Sequence, residues 1–173
     1  CIYNDLQRID VDYEADWHED HVVLKADYPV DVNSTRATFD IQFGNIERST
    51  TTNTTWEFAQ FEESMHKWAD LSDNGFGLSV INDCKYGCDI KNGHIRPTLF
   101  RCATNPNHIQ DREHHSFSFS IYPHAKRVND SDVVKEGYNV NFPLYAIPQK
   151  AQEGTLAPEY SLVSCDKDNV VIE

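Results

Sequence analysis

No stretch of this 173-residue sequence approaches the roughly 18 consecutive apolar residues that a membrane-spanning helix needs. A bilayer is therefore not an expected partner. Basic residues are also scarce: 15 Lys and Arg stand against 28 Asp and Glu, the net charge is −13, and no basic run exceeds Lys126-Arg127. Nucleic acid and anionic lipid are bound chiefly by clustered Lys and Arg, so neither is expected here. Glycine numbers only seven, with no spacing that would cradle a phosphate. No Gly-x-Ser-x-Gly occurs, which removes the serine-nucleophile elbow. Cys1-Ile2-Tyr3-Asn4-Asp5 has neither the basic nor the apolar region of a signal peptide.

Cysteine is present as an odd, scattered set: Cys1, Cys84, Cys88, Cys102 and Cys165. Such a set in a chain of this length predicts reduced thiols and a cytoplasmic setting. The counter-signal is three Asn-x-Ser/Thr triplets, at Asn33, Asn53 and Asn129. The chain opens without Met and closes on Val170-Val171-Ile172-Glu173, so both ends are expected to be cut from something longer. The length predicts one domain over 1–173, burying roughly 70% of the surface exposed by the unfolded chain.

Period-two alternation dominates, and it predicts half-buried strands. Ile9, Val11 and Tyr13 alternate with Asp10 and Asp12; Val22, Leu24, Ala26 and Tyr28 follow, closed by Pro29. Phe39, Ile41 and Phe43 form a third run ended by Gly44. Leu78 to Ile81 is a short apolar strand, and Phe117, Phe119 and Ile121 alternate with serines. Tyr138, Val140 and Phe142, then Leu162 to Cys165 and Val170 to Ile172, complete the predicted strands. Asn92-Gly93 marks a two-residue hairpin. A short helix is expected over Asp132 to Glu136, capped by Asp130-Ser131 and ended by Gly137. Between Trp56 and Leu71, both helical and strand spacings occur, and periodicity does not choose between them. Many strands and few helices predict an all-β antiparallel sandwich.

Chemistry is harder to locate. Cys84 and Cys88, with His114-His115 downstream, fall short of the four converging ligands of a zinc site. Adjacent histidines on a strand point to opposite faces. Glycoside hydrolysis with retention needs two carboxylates roughly 5 Å apart. Asp70 and Asp83 sit near strand ends, as salt-bridged surface carboxylates also do. Trp17, Trp56 and Trp68 could stack on sugar rings, although tryptophan in a sandwich is more often core.

Several ordered segments do resemble one family. They are Ala37-Thr38-Phe39-Asp40-Ile41-Gln42-Phe43-Gly44-Asn45-Ile46-Glu47-Arg48, and Asn53-Thr54-Thr55-Trp56-Glu57 followed by Phe61-Glu62. The strongest is His66-Lys67-Trp68-Ala69-Asp70-Leu71-Ser72, continuing through Gly75-Phe76-Gly77 to Asn82-Asp83-Cys84-Lys85-Tyr86-Gly87. Weaker matches are Pro29 to Val32, His115 to Phe119 with Pro123-His124, and Asn141 to Leu144. Together they resemble the C-terminal β region of family 38 α-mannosidases, particularly the cytosolic branch.

The resemblance implies a supersandwich like that of galactose mutarotase, with a strand over His66 to Leu71 and at most a helical turn near Phe58 to Glu62. It implies a parent enzyme that is a zinc-dependent, retaining α-mannosidase. Zinc and both catalytic carboxylates would lie in an N-terminal catalytic domain absent from this chain, so no catalytic or metal-ligating residue is expected here. The implied partners are that domain and a mannose-containing oligosaccharide. By position, the loop from Asn82 to Gly87 is the candidate to reach the mannose pocket. Lys85 and Tyr86 would donate hydrogen bonds to sugar hydroxyls, while Asn82 and Asp83 accept or orient. The alternative for these residues is a plain β-turn stabilised by Asp83 and Gly87. For the whole chain, the alternatives are a free-standing carbohydrate-binding module and a purely structural interdomain unit.

Overall fold

The computed structural model describes residues 1–151 and 153–172. Alternating segments become strands wherever a neighbour can take their backbone hydrogen bonds. In chain order these are β1 (Ile9–Asp16), β2 (Leu24–Lys25), β3 (Tyr28–Pro29), β4 (Arg36–Ile41) and β5 (Gly44–Ser49). Helix α1 (Thr55–Ala59) precedes β6 (Glu63–Ser64), β7 (Trp68–Ser72), β8 (Gly77–Asn82), β9 (Gly87–Lys91) and β10 (His94–Phe100). Strand β11 (His114–His124), a 3-10 turn (Val128–Asp130) and helix α2 (Val133–Asn141) follow.

The strands form two antiparallel sheets. One runs β1-β11-β8-β7-β4-β5; the other runs β2-β10-β9-β6, with β3 also pairing β10. This is the predicted all-β antiparallel sandwich. Inner-facing side chains of both sheets share one core, with Phe39, Leu71 and Phe119 from the first and Cys88, Ile90 and Ile95 from the second. Outer-facing Trp68, Ile81 and Tyr122 of the first sheet make a second cluster with Val128 and Val133. Farther along that face, buried Asp70 accepts from Ser72 and Ser79 at 2.6 and 2.7 Å and lies 2.7 Å from His124 Nε2.

The Asn92-Gly93 hairpin forms as expected: both residues have positive φ, 54° and 77°, and join β9 to β10. A second hairpin was not legible. Gly44 begins β5 rather than ending a run, because Phe43 adopts φ 61° and turns the chain back while its ring stays 94% exposed. Strand β7 falls where the resemblance puts it, and the helical turn lies at α1, slightly earlier than Phe58 to Glu62. One compact unit runs from Cys1 to Pro143 and contains every helix and strand named above; a second runs from Leu144 onward. The strands expected at Leu162 to Cys165 and Val170 to Ile172 are absent from the described residues. Alternation alone does not make a strand without a partner edge for its amides.

The largest correction concerns residues 133–142. Tyr138, Val140 and Phe142 do not form a strand; they belong to α2 and its C-cap. Spacing explains why: Val133 and Gly137 lie four apart on the buried side of α2. Gly137 is therefore not a terminator but a point of close approach. A Cβ there would sit 2.8 Å from Cδ1 of the Trp68 ring. Alanine in a helix interior ordinarily gains about 1 kcal/mol over glycine. Here Gly137→Ala is expected to lower stability by about 1–3 kcal/mol through overpacking, measurable as a reduced urea midpoint.

Candidate functional site

The outer face of the second sheet holds a groove of about 940 Å³. Its floor comes from alternate residues of short strands: Lys25 on β2, Asp89 on β9, and Arg96 and Thr98 on β10. Their neighbours Leu24, Cys88, Ile90, Ile95 and Leu99 face the core, so the same alternation that fills the interior sets the polar floor. Phe61, Glu62 and the 84–87 loop form walls. Asp89 receives a fork from Arg96, Nε at 2.8 Å and Nη2 at 2.5 Å, and also Lys25 Nζ at 2.7 Å. Glu62 takes both Lys25 and the Thr98 hydroxyl. Burial pulls the Lys25 ammonium down, but its hydrogen bonds to Asp89 and Glu62 outweigh this and hold it above its ordinary value.

The four predicted binding residues divide. Lys85 and Tyr86 line the groove, and Tyr86 is 54% exposed. Asn82 is fully buried and does not line it. Its Oδ1 accepts from Lys85 N at 2.6 Å, and its Nδ2 donates to the His66 carbonyl. Asn82, rather than the expected Asp83, therefore closes the turn. Asp83 instead accepts from the Ser118 amide at 3.0 Å, fastening the loop to β11. Gly87 keeps space for Glu62, whose Oε1 would lie 2.5 Å from an added Cβ. Cys84 also lines the groove, with its thiol pushed up to about 11 by burial and then by the adjacent Asp83 carboxylate. That disfavours the thiolate a nucleophile needs.

A family model described as Glycosyl hydrolases family 38 C-terminal domain matches residues 1–108. This chain belongs to that family. Alpha-mannosidase 2C1 of Homo sapiens is 39% identical over 92% of the chain, which spans 15% of that protein. Alpha-mannosidase G of Dictyostelium discoideum is 36% identical over 96% of the chain, again 15% of the relative. An alpha-mannosidase crystal structure from Enterococcus faecalis V583 superposes with a TM-score of 0.82 at 17% identity, covering 91% of this chain and 19% of its own. That likeness concerns the fold. The family 38 segment described here therefore occupies a small part of the relatives' length.

The other candidates in this family 38 domain resolve mostly as structure. Trp17 stacks on Phe100 at 5.0 Å and donates to Cys102 Sγ at 2.7 Å; Trp68 is 1% exposed. His114 is exposed, while His115 packs against Phe100. All five cysteines are free thiols. Among the described residues, no three His, Cys, Asp or Glu side chains converge as metal ligands.

Trp56 differs, being 84% exposed on α1, with Phe58 and Phe61 exposed at 72% and 74%. Helix α1 buries no residue. It is held by Glu57, whose carboxylate accepts from Ser49 at 2.7 Å, Thr51 at 2.9 Å and the amides of Asn53 and Thr54. These bonds, the Ser49 hydroxyl foremost, lower the Glu57 carboxyl to about 2. A depressed carboxylate contributes stability above its unfolded value and loses it as pH falls through the folded one. The Asn53 and Thr54 amides are expected to stay protected from exchange down to about pH 3 and to lose protection near pH 2, as followed by amide exchange mass spectrometry.

Proposed function

We propose that this chain is the accessory C-terminal domain of a zinc-dependent, retaining α-mannosidase that acts on mannose-containing oligosaccharides in the cytoplasm. The observation that carries this reading is the pair of large aromatic side chains Trp56 and Phe58, exposed on a helix that buries nothing. Large exposed apolar surface of this kind marks interaction sites. A catalytic domain of the same polypeptide suits it as a cover, because the α-mannosidase relatives are several times longer than the matched segment. The five free thiols suit a reducing compartment.

On this reading the two carboxylates of retaining hydrolysis, one acid and one nucleophile, belong to the missing catalytic domain. Zinc belongs there too, where it would supply Lewis-acid binding of sugar hydroxyls; this chain offers no converging ligand set among its described residues. The chain's own contribution is binding and orientation. Tyr86 Oη and Lys85 Nζ donate to sugar hydroxyls, and the Phe61 and Tyr86 rings offer apolar faces to a pyranose. Asn82 and Asp83 hold the loop so that little ordering is left to pay on binding.

The chain alone is expected to show no turnover of an aryl α-mannoside, with or without zinc. In the full-length parent, Lys85→Ala and Tyr86→Ala are each expected to lower kcat/KM by about tenfold, the effect of roughly one hydrogen bond. Zinc-dependent turnover by the chain, surviving repurification, would overturn the division of labour. Unchanged parent kinetics for both variants would remove the loop from the mannose pocket.

A further inference from the structure

The groove is electrostatically unlike the rest of the chain. Four cations line it, Lys25, Lys85, Arg96 and Arg101, against two carboxylates, Glu62 and Asp89, although the sequence as a whole carries a net charge of −13. Ion pairing sharpens the contrast. Lys25 engages Glu62 and Asp89, and Arg96 forks onto Asp89, so both carboxylates are occupied. Lys85 and Arg101 remain. Among the described residues neither forms an ion pair. Lys85 Nζ rests 4.9 and 4.7 Å from the ring centres of Phe100 and Phe117. Arg101 is exposed, and among the described residues its one hydrogen bond is from its backbone amide to Asp111.

An ammonium seated on two rings keeps donors free for a further acceptor. A guanidinium without a carboxylate offers the planar fork that matches carboxylate and phosphate oxygens. Lys85 is on the loop carrying the Tyr86 hydroxyl and Arg101 lines the same concavity, which also has Phe61 and Val23 on its walls. Concave walls lower the local dielectric and concentrate the field of charges that lack counter-ions.

We propose that this groove binds a sugar bearing an anionic oxygen group, phosphate or carboxylate. Lys85 and Arg101 recognise the anion, and the faces of Phe61 and Tyr86 take the ring. The sugar ring rests on the reading in the preceding subsection; the anion rests on the unpaired cations alone.

The test is calorimetric titration of the chain with mannose 6-phosphate, glucuronate, mannose and inorganic phosphate, at low and high salt. Mannose 6-phosphate or glucuronate is expected to bind at least about tenfold tighter than mannose, the effect of roughly one charge-assisted hydrogen bond. The tighter of the two identifies the anion. The preference is expected to shrink at high salt, and Lys85→Gln and Arg101→Gln are each expected to bring the anionic sugar down to the mannose value. Arg101 is exposed, so its variant also serves where Lys85→Gln disturbs the ring contacts. Equal affinity for neutral and anionic sugars would overturn the inference while sparing the accessory-domain reading. So would inorganic phosphate binding as tightly as the sugar phosphate, or no binding by any ligand. An anionic preference in the chain, with parent kinetics unmoved by Lys85→Ala, would sustain the inference and remove the loop from the mannose pocket.

Discussion

Asn82 commits every polar group it has. Its backbone N–H donates to the Lys67 carbonyl at 2.9 Å, and its carbonyl accepts from Asn141 Nδ2 at 3.1 Å. Its side-chain amide donates to His66 and accepts from Lys85 N. One fully buried residue thus ties together the approach to β7, the end of β8, the groove loop and α2. A buried amide of this kind is costly unless all its partners are present, and with all present it fixes one arrangement. The loop that carries Lys85 and Tyr86 inherits its position from this network, as does the helix that covers Trp68. Apolar burial supplies the driving force for the sandwich, but it does not say which way a loop leaves a strand.

The same division explains what was legible in the sequence. Strands with strict alternation and a buried face, such as β11 and β4, could be read directly because pleating converts sequence period into facing. The second sheet was less visible. Pro97 interrupts β10 in sequence, yet it occupies a strand position opposite Cys88; proline in a run ordinarily demotes a strand. Arg96 and Thr98 were missed for that reason, and with them the groove floor. Helix α2 was read at its start, over Asp132 to Glu136, but its continuation past Gly137 was missed for another: Tyr138, Val140 and Phe142 satisfy a period of two while Val133 and Gly137 satisfy a helical one, and Trp68, distant in sequence, decides. The candidate loop was named from the resemblance, and the structure shows what holds it in place. Asn82 and Asp83, expected to accept from or orient a sugar, hydrogen-bond to Lys85, His66 and Ser118 and fasten the loop.

The groove also shows how charges of both signs serve one surface. Asp89 and Glu62 do not repel the ligand side because Lys25 and Arg96 consume them. Half-buried pairs of this type owe more to geometry than to Coulomb attraction in water. Thr98 and the space kept by Gly87 complete the Glu62 site. What remains unconsumed is the charge that a ligand would meet.

Helix α1 is attached by hydrogen bonds that the Glu57 carboxylate accepts from Ser49, Thr51 and two backbone amides, and by no buried side chain. Its opening is therefore separate from unfolding of the sandwich. Elements with few buried contacts open locally, at free energies well below the global one. Substitutions that weaken the core would leave α1 in place until the whole domain melts, and loss of α1 would barely move the melting temperature. Selection for stability alone thus exerts little hold on Trp56 and Phe58, and their retention in any descendant of this chain would report on contacts made outside it.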